Sequence, residues 1–228
     1  MLFSRRTLNF LLSVSLFFLA AVRPLAATAV VSSTASPPMV IIDAGHGGRD
    51  SGAVGKGDVL EKDLNLSIAL LLEGCFAAAG IPVLLTRRTD TLVLNEGEDV
   101  AGERKKNDLY NRVAIANRYP DATFISIHMN AYPVAKYRGF QAYYRRDSQE
   151  SAALANRITE RVRQTLDPVY TRVPNYRGEE LYLLANARGR AVLVECGFLS
   201  NEEEKNKLLE KDYQKKLSFC IFYAIMEE

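Results

Sequence analysis

Met39-Val40-Ile41-Ile42-Asp43-Ala44-Gly45-His46-Gly47-Gly48 is the stretch that sets the architecture of this chain. Four apolar residues in a row, closed by an acid and then by glycines, are too few for a helix and too uniformly apolar for a strand with one wet face. This is the pattern of a strand buried on both sides, as in a parallel sheet covered by helices. The glycines behind it let the backbone turn sharply at the strand end and leave room for an approaching ligand.

The same pattern recurs along the chain. Ala122–His128 (ATFISIH) and Ala191–Glu195 (AVLVE) read as buried strands, Pro82–Thr86 as another, Gly139–Tyr144 (GFQAYY) as an alternating one and Leu181–Leu184 as a short one. Helical spacing runs between them. Leu64, Ile68, Leu71 and Leu72 mark a helix over Lys62–Ala79 with Gly80 as its stop, and Leu109, Val113 and Ala116 mark one over Asp108–Tyr119 capped by Asn107 or Asp108. Ser151–Leu166 reads as a helix, Glu202–Met226 as one or two closing helices, and the polar stretch Arg87–Asn107 as a surface loop. Strands alternating with helices predict an α/β fold: about six strands, mostly parallel in a mixed sheet, with helices on both faces.

At 228 residues the chain holds one domain and a short appendage. The appendage is its start. Arg5 and Arg6 precede an apolar run, Leu8–Val22, and Ala27-Thr28-Ala29 fits a small-x-small cleavage site. Residues 1–29 therefore read as a signal peptide or N-terminal anchor, residues 30–38 as a Ser/Thr/Pro linker and residues 39–228 as the folded domain. Ser4-Arg5-Arg6-Thr7-Leu8 also fits twin-arginine export. The expected location is extracytoplasmic. Membrane contact is expected only through an uncleaved leader. Without the leader's three arginines, 26 basic residues stand against 27 acidic ones. That balance gives no footprint for nucleic acid. Cys75, Cys196 and Cys220 lie apart in apolar stretches and read as buried small hydrophobes rather than a disulfide framework.

Chemistry gathers at strand ends. The chain has two histidines; His46 follows the first strand and His128 closes ATFISIH, while Glu195 closes AVLVE. In an open α/β sheet the carboxyl ends of parallel strands form the binding crevice. Two neutral imidazoles and a carboxylate are a common catalytic zinc donor set. Glu61, at the start of a helix where an anion is favoured, is a candidate third ligand and equally an ordinary acid of a first helical turn. An ionisable Glu195 ending an apolar strand must be solvated, paired or functional, and Asp43 is placed to orient a ligand from behind. Arg87 and Asn130, near strand ends, are candidates for substrate contact. The basic run Arg145, Arg146, Arg157, Arg161 and Arg163 reads as a solvated helix face or a contact for an anionic polymer. No GxGxxG or GxxxxGK[ST] follows the first strand, which argues against a nucleotide site.

Six blocks in order, from Ile42-Asp43-Ala44-Gly45-His46-Gly47-Gly48 through Glu61-Lys62-Asp63-Leu64-Asn65-Leu66, Leu84-Leu85-Thr86-Arg87, LYNRVAIAN (109–117) and FISIHMNA (124–131) to VECGFLSN (194–201), resemble the zinc-dependent N-acetylmuramoyl-L-alanine amidases of the amidase-3 family. The resemblance implies zinc bound by His46, Glu61 and His128, with Glu195 as catalytic acid/base. It implies a six-stranded mixed sheet and cleavage of the amide joining muramic acid's lactyl group to L-alanine in peptidoglycan. Within the family the chain is most similar to spore-cortex, germination-associated amidases, whose product a partner deacetylase takes on to muramic-δ-lactam. Two rival readings remain: another zinc wall hydrolase (a carboxypeptidase or deacetylase) with the same metal–water chemistry, and an inactive peptidoglycan-binding module, which the complete residue set argues against.

Overall fold

The apolar run after residue 39 is strand β1 (Val40–Ala44), buried along its whole length. It belongs to a computed structural model describing residues 39–169, 171–176 and 181–227. The leader and linker expected over residues 1–38 lie outside the described residues. After β1 come β2 (Val54–Gly55), β3 (Val59–Leu60), α1 (Glu61–Ala78), β4 (Val83–Leu85), α2 (Arg104–Arg118), β5 (Thr123–Asn130) and β6 (Gln141–Tyr144). The chain continues through α3 (Gln149–Leu166), β7 (Asn175–Tyr176), α4 (Tyr182–Asn186), β8 (Ala191–Phe198), α5 (Glu202–Leu209) and α6 (Lys211–Met226).

Six strands form one sheet in the order β4-β1-β5-β8-β6-β7, and β2 and β3 make a separate two-stranded ribbon. β1 runs parallel to β4 and β5, and β5 parallel to β8. β6 is antiparallel to β8, which makes the sheet mixed, and β7 runs parallel to β6. Successive residues of a strand point to opposite faces, so each central strand feeds two cores. Ile42, Ile125, Ile127, Val192 and Val194 pack with Ile68, Leu72 and Phe76 of α1, Leu154 and Ile158 of α3, and Leu217 and Ile221 of α6. Ile41, Phe124 and Leu193 face the other way, onto Val113 and Ala116 of α2 and Leu183 and Leu184 of α4.

Leu181–Leu184, expected as a strand, is instead the start of helix α4. A four-residue apolar run satisfies either geometry, and here Leu183 and Leu184 bury against the sheet from a helix. The sixth strand of the sheet is β7, a polar and exposed pair of residues. Helix α2 also begins earlier than expected, with Glu103 at its N-cap position and no side-chain cap. Asn107 and Asp108 lie inside it: the Asn107 amide donates to Glu98 O, and Asp108 is engaged by Arg112. Ser148 does cap α3, accepting from Ser151 N at 3.2 Å. Cys196 and Cys220 are buried and Cys75 half-buried, all three as free thiols.

Candidate metal centre

The register of the parallel strands brings the strand-end residues to one edge. Ala44 pairs with Ile127, and His128 lies directly across from Glu195. Gly45 N continues the ladder to Ile127 O at 3.1 Å, which leaves His46 just above the sheet edge. Glu61 arrives by another route. The ribbon β2–β3 doubles the chain back, Glu61 N bonds to Ala53 O, and Ala53 N returns a 2.8 Å bond to Glu61 Oε2.

There the three side chains meet. His128 Nδ1 lies 2.9 Å and His46 Nε2 3.2 Å from Glu61 Oε1, and the two rings stand edge to face with centroids 4.9 Å apart. One ligand atom from each residue falls within 4.8 Å of the others. Tetrahedral zinc with bonds of about 2.0–2.2 Å spaces its ligand atoms by about 3.3 Å. The two nitrogen–oxygen separations, 2.9 and 3.2 Å, are close to that spacing, and two imidazoles with a carboxylate are a donor set that suits such an ion.

Several groups fix this arrangement. Asp50 Oδ2 takes His46 Nδ1 at 2.7 Å, which turns Nε2 towards Glu61. This carboxylate–imidazole pairing fixes a ligating histidine's orientation and raises its basicity. His46 has φ 61°, a left-handed conformation that costs a non-glycine residue about 1 kcal/mol or more. Its carbonyl accepts from Arg112 Nη2 at 2.7 Å, and Arg112 Nη1 reaches Ala44 O at 2.8 Å and Asp43 Oδ1 at 2.5 Å. Asp43, fully buried, also accepts from Ser126 and Thr86, so it ties three strands together and reaches His46 only through Arg112. Arg87 is buried too. It donates to the carbonyls of Ala44, Gly45, Lys62 and Thr89, which makes it a brace for the glycine loop and not a substrate contact. Asn130 Nδ2 donates to Gln141 Oε1 at 2.7 Å. Lys62 Nζ holds Gly48 O and Asp90, and Asn65 Nδ2 holds Gly45 O and Glu61 Oε1.

Electrostatics follow from these contacts. Burial disfavours the charged form of His46, but its bonds to Asp50 and Glu61 outweigh that and push it up to about 9. Burial would raise Glu61, yet hydrogen bonds from His128 and His46 hold it well below the usual carboxylate range. The bond to His46 lowers Asp50 to about 2. Glu195 differs from all of these. Burial pushes it up to about 7; the His128 charge opposes this and the Glu61 charge adds to it. Its Oε2 is buried and has no hydrogen-bond partner among the described residues. An unpaired buried carboxyl oxygen costs stability and marks a group kept for something other than folding.

Asp50, Arg112 and Lys62 were not singled out by sequence reasoning. Arg112 carried one usable signal: it lies beside Val113 on the face of α2 that Leu109 and Ala116 turn to the core, where an arginine needs a buried partner.

Residues 40–227 match the N-acetylmuramoyl-L-alanine amidase family. The chain belongs to this family. The germination-specific N-acetylmuramoyl-L-alanine amidase of Bacillus subtilis (strain 168) is 35% identical over 191 residues, spanning 84% of this chain and 79% of that protein. Among solved structures, the CwlD amidase from Clostridioides difficile, in complex with the GerS lipoprotein, superposes with a TM-score of 0.79 at 36% identity, covering 83% of this chain and 97% of that one. The amidase AmiC2 of Nostoc punctiforme superposes with a TM-score of 0.71 at 30% identity, covering 85% and 98%. In this member of the family a cavity of about 210 Å³ adjoins the histidines, lined by Lys105, Leu109 and Arg112 of α2, Leu181 and Tyr182 at the start of α4, and Leu193.

Proposed function

We propose that this chain hydrolyses the amide between the lactyl group of N-acetylmuramic acid and L-alanine in bacterial peptidoglycan. In this reading His46, Glu61 and His128 hold a zinc ion and Glu195 moves the proton. The observation that carries it is the buried, unpartnered Glu195 Oε2, across the β5–β8 pair from His128. When bound, zinc supplies Lewis acidity, so that water ionises nearer neutral pH and a carbonyl oxygen is polarised.

The chain's own residues do the rest. Asp50 orients His46, and Arg112 and Arg87 hold the backbone that carries it. Glu195 Oε2 accepts a proton from the attacking water as the new C–O bond forms. It then returns that proton to the nitrogen of L-alanine as the C–N bond breaks. A carboxyl that titrates near 7 is matched to both transfers at neutral pH. Family membership supports the amide as the bond cleaved, and the germination-specific relative supports the spore cortex as the wall acted upon. The product there, a muramic acid freed of peptide, is what a partner deacetylase needs for muramic-δ-lactam formation. The basic, apolar start of the chain supports export to the wall. No helix among the described residues is long and apolar enough to cross a membrane.

Digestion of peptidoglycan by the purified protein, with mass spectrometry of the products and zinc content measured on the same sample, tests this. Intact stem peptides beginning with L-alanine are expected. Trimmed stems or deacetylated sugars would assign the site to a carboxypeptidase or a deacetylase, and no product from a zinc-loaded sample would make it a binding module. Glu195→Gln should lower turnover at least about 100-fold with zinc retained. His46→Ala and His128→Ala should lose zinc, and stoichiometric metal in either would remove that residue from the ligand set.

A further inference from the structure

Tyr132 and Tyr137, four and nine residues after His128 in the chain, have 51% and 38% of their surface exposed. Their rings touch edge to face, with centroids 4.8 Å apart. Both belong to the loop between β5 and β6, which leaves the sheet two residues after His128. This loop is pinned, not loose. Tyr132 N donates to Ser200 Oγ at 3.1 Å, Asn201 Nδ2 to Ala135 O at 2.8 Å, and Gly139 N to Glu204 Oε1 at 2.8 Å. All three anchors follow Glu195 and β8, so the aromatic pair lies on the β8 side of the centre. No residue of this loop lines the cavity between α2 and α4.

A rigidly held, exposed aromatic pair next to a reactive site marks a contact for something that binds there. The chemistry of the patch narrows what that is. An aromatic ring has an electron-rich face, which attracts the weakly positive C–H face of a pyranose. A cationic donor suited to sugar hydroxyls lies at one of the rings: the Lys136 ammonium sits over Tyr137, 5.8 Å from its centroid. An isolated pair of rings with a cation over one of them makes a poor seat for an apolar helix, which needs a continuous groove. Resting on the amidase reading, the scissile amide hangs from one sugar of a polymer, so further sugars must cross the surface next to the site. We propose that Tyr132 and Tyr137 form a stacking platform for sugar rings of the glycan strand flanking the cleaved muramoyl residue.

Calorimetric titration with glycan strands stripped of peptide tests this on the full chain. The wild type should bind them, and the Tyr132→Ala/Tyr137→Ala variant should bind at least about tenfold more weakly, a loss of about 1.4 kcal/mol. Tyr132→Phe/Tyr137→Phe should stay within about threefold of wild type, since the ring faces remain. No binding by the wild type, unchanged binding by the double alanine variant, or an equal loss in the phenylalanine variant would each overturn the platform. Should the double alanine variant fail to fold, the two single alanine variants replace it, each expected to bind about threefold more weakly. Release of L-alanine-terminated peptides from intact peptidoglycan, assayed in parallel, keeps the two readings apart. Glycan binding without release removes the amidase reading and leaves the platform; release without glycan binding does the reverse.

Discussion

A methyl group on Gly45 would sit 2.3 Å from Cε1 and Nε2 of His128, and one on Gly52 would sit 2.5 Å from Glu61 Oε2. Both glycines therefore leave spaces that His128 and Glu61 fill. Gly45→Ala is expected to displace His128 and weaken zinc binding by about 10- to 100-fold, the range seen when a ligand's support is lost, in competition with a chelating dye. Wild-type affinity would mean that the ring can move aside at no cost. Glu195 makes a prediction about pH. Its folded value of about 7 lies above the ordinary 4.5. The folded state therefore binds the proton more tightly, and the stability this confers is complete below 4.5 and lost as pH rises through 7. In the metal-free protein Glu195→Gln should then be more stable than wild type by about 3 kcal/mol at pH 8 and no different near pH 4, read by urea unfolding. At this scale the two histidines were legible because each ends an apolar run. Asp50 was not, since an aspartate among glycines in a loop has the same sequence appearance whether it faces water or an imidazole.

Helix α2 shows how an element can be legible in outline and hidden in purpose. Its apolar stripe was readable from Leu109, Val113 and Ala116, but its first turn is polar and left no mark of its start at Arg104. What α2 contributes is Arg112, which binds Asp43, Asp108 and the carbonyls of Ala44 and His46. Removing one partner from a buried ionic network leaves charges uncompensated. Arg112→Met should cost about 3–5 kcal/mol in urea unfolding at pH 7, and a cost below 1 kcal/mol would show that water replaces the guanidinium. Ser148→Ala, which removes the cap of α3, should cost only about 1 kcal/mol by the same measurement. α4 and β7 mark the limit of reading by pattern. Four leucine-rich residues carry too little periodicity to separate helix from strand, and a two-residue polar edge strand carries none.

For the molecule as a whole, the six-stranded mixed sheet with helices on both faces follows from alternating apolar runs and helical stripes, and it was legible before any geometry. The convergence of His46, Glu61 and His128 was legible for the histidines, but Glu61 depended on resemblance, because its approach relies on the β2–β3 ribbon, four residues with no alternation to reveal them. A ligand that binds only the folded chain stabilises it in proportion to the logarithm of its excess over Kd. Zinc at about 1,000 times Kd should raise unfolding free energy by about 4 kcal/mol over the chelator-treated protein, and unchanged thermal melting would mean that no zinc enters. The strand order has a further consequence. β8 is the last strand in the chain, yet it lies between β5 and β6 at the centre of the sheet. A polypeptide still being synthesised, or clipped before residue 191, has no inner strand to join β6 and β7 to the rest and lacks Glu195. Closing the sheet therefore waits on the C-terminal part of the chain: His46, Glu61 and His128 are made early, but the strand that sets Glu195 across from His128 is made last of all the strands.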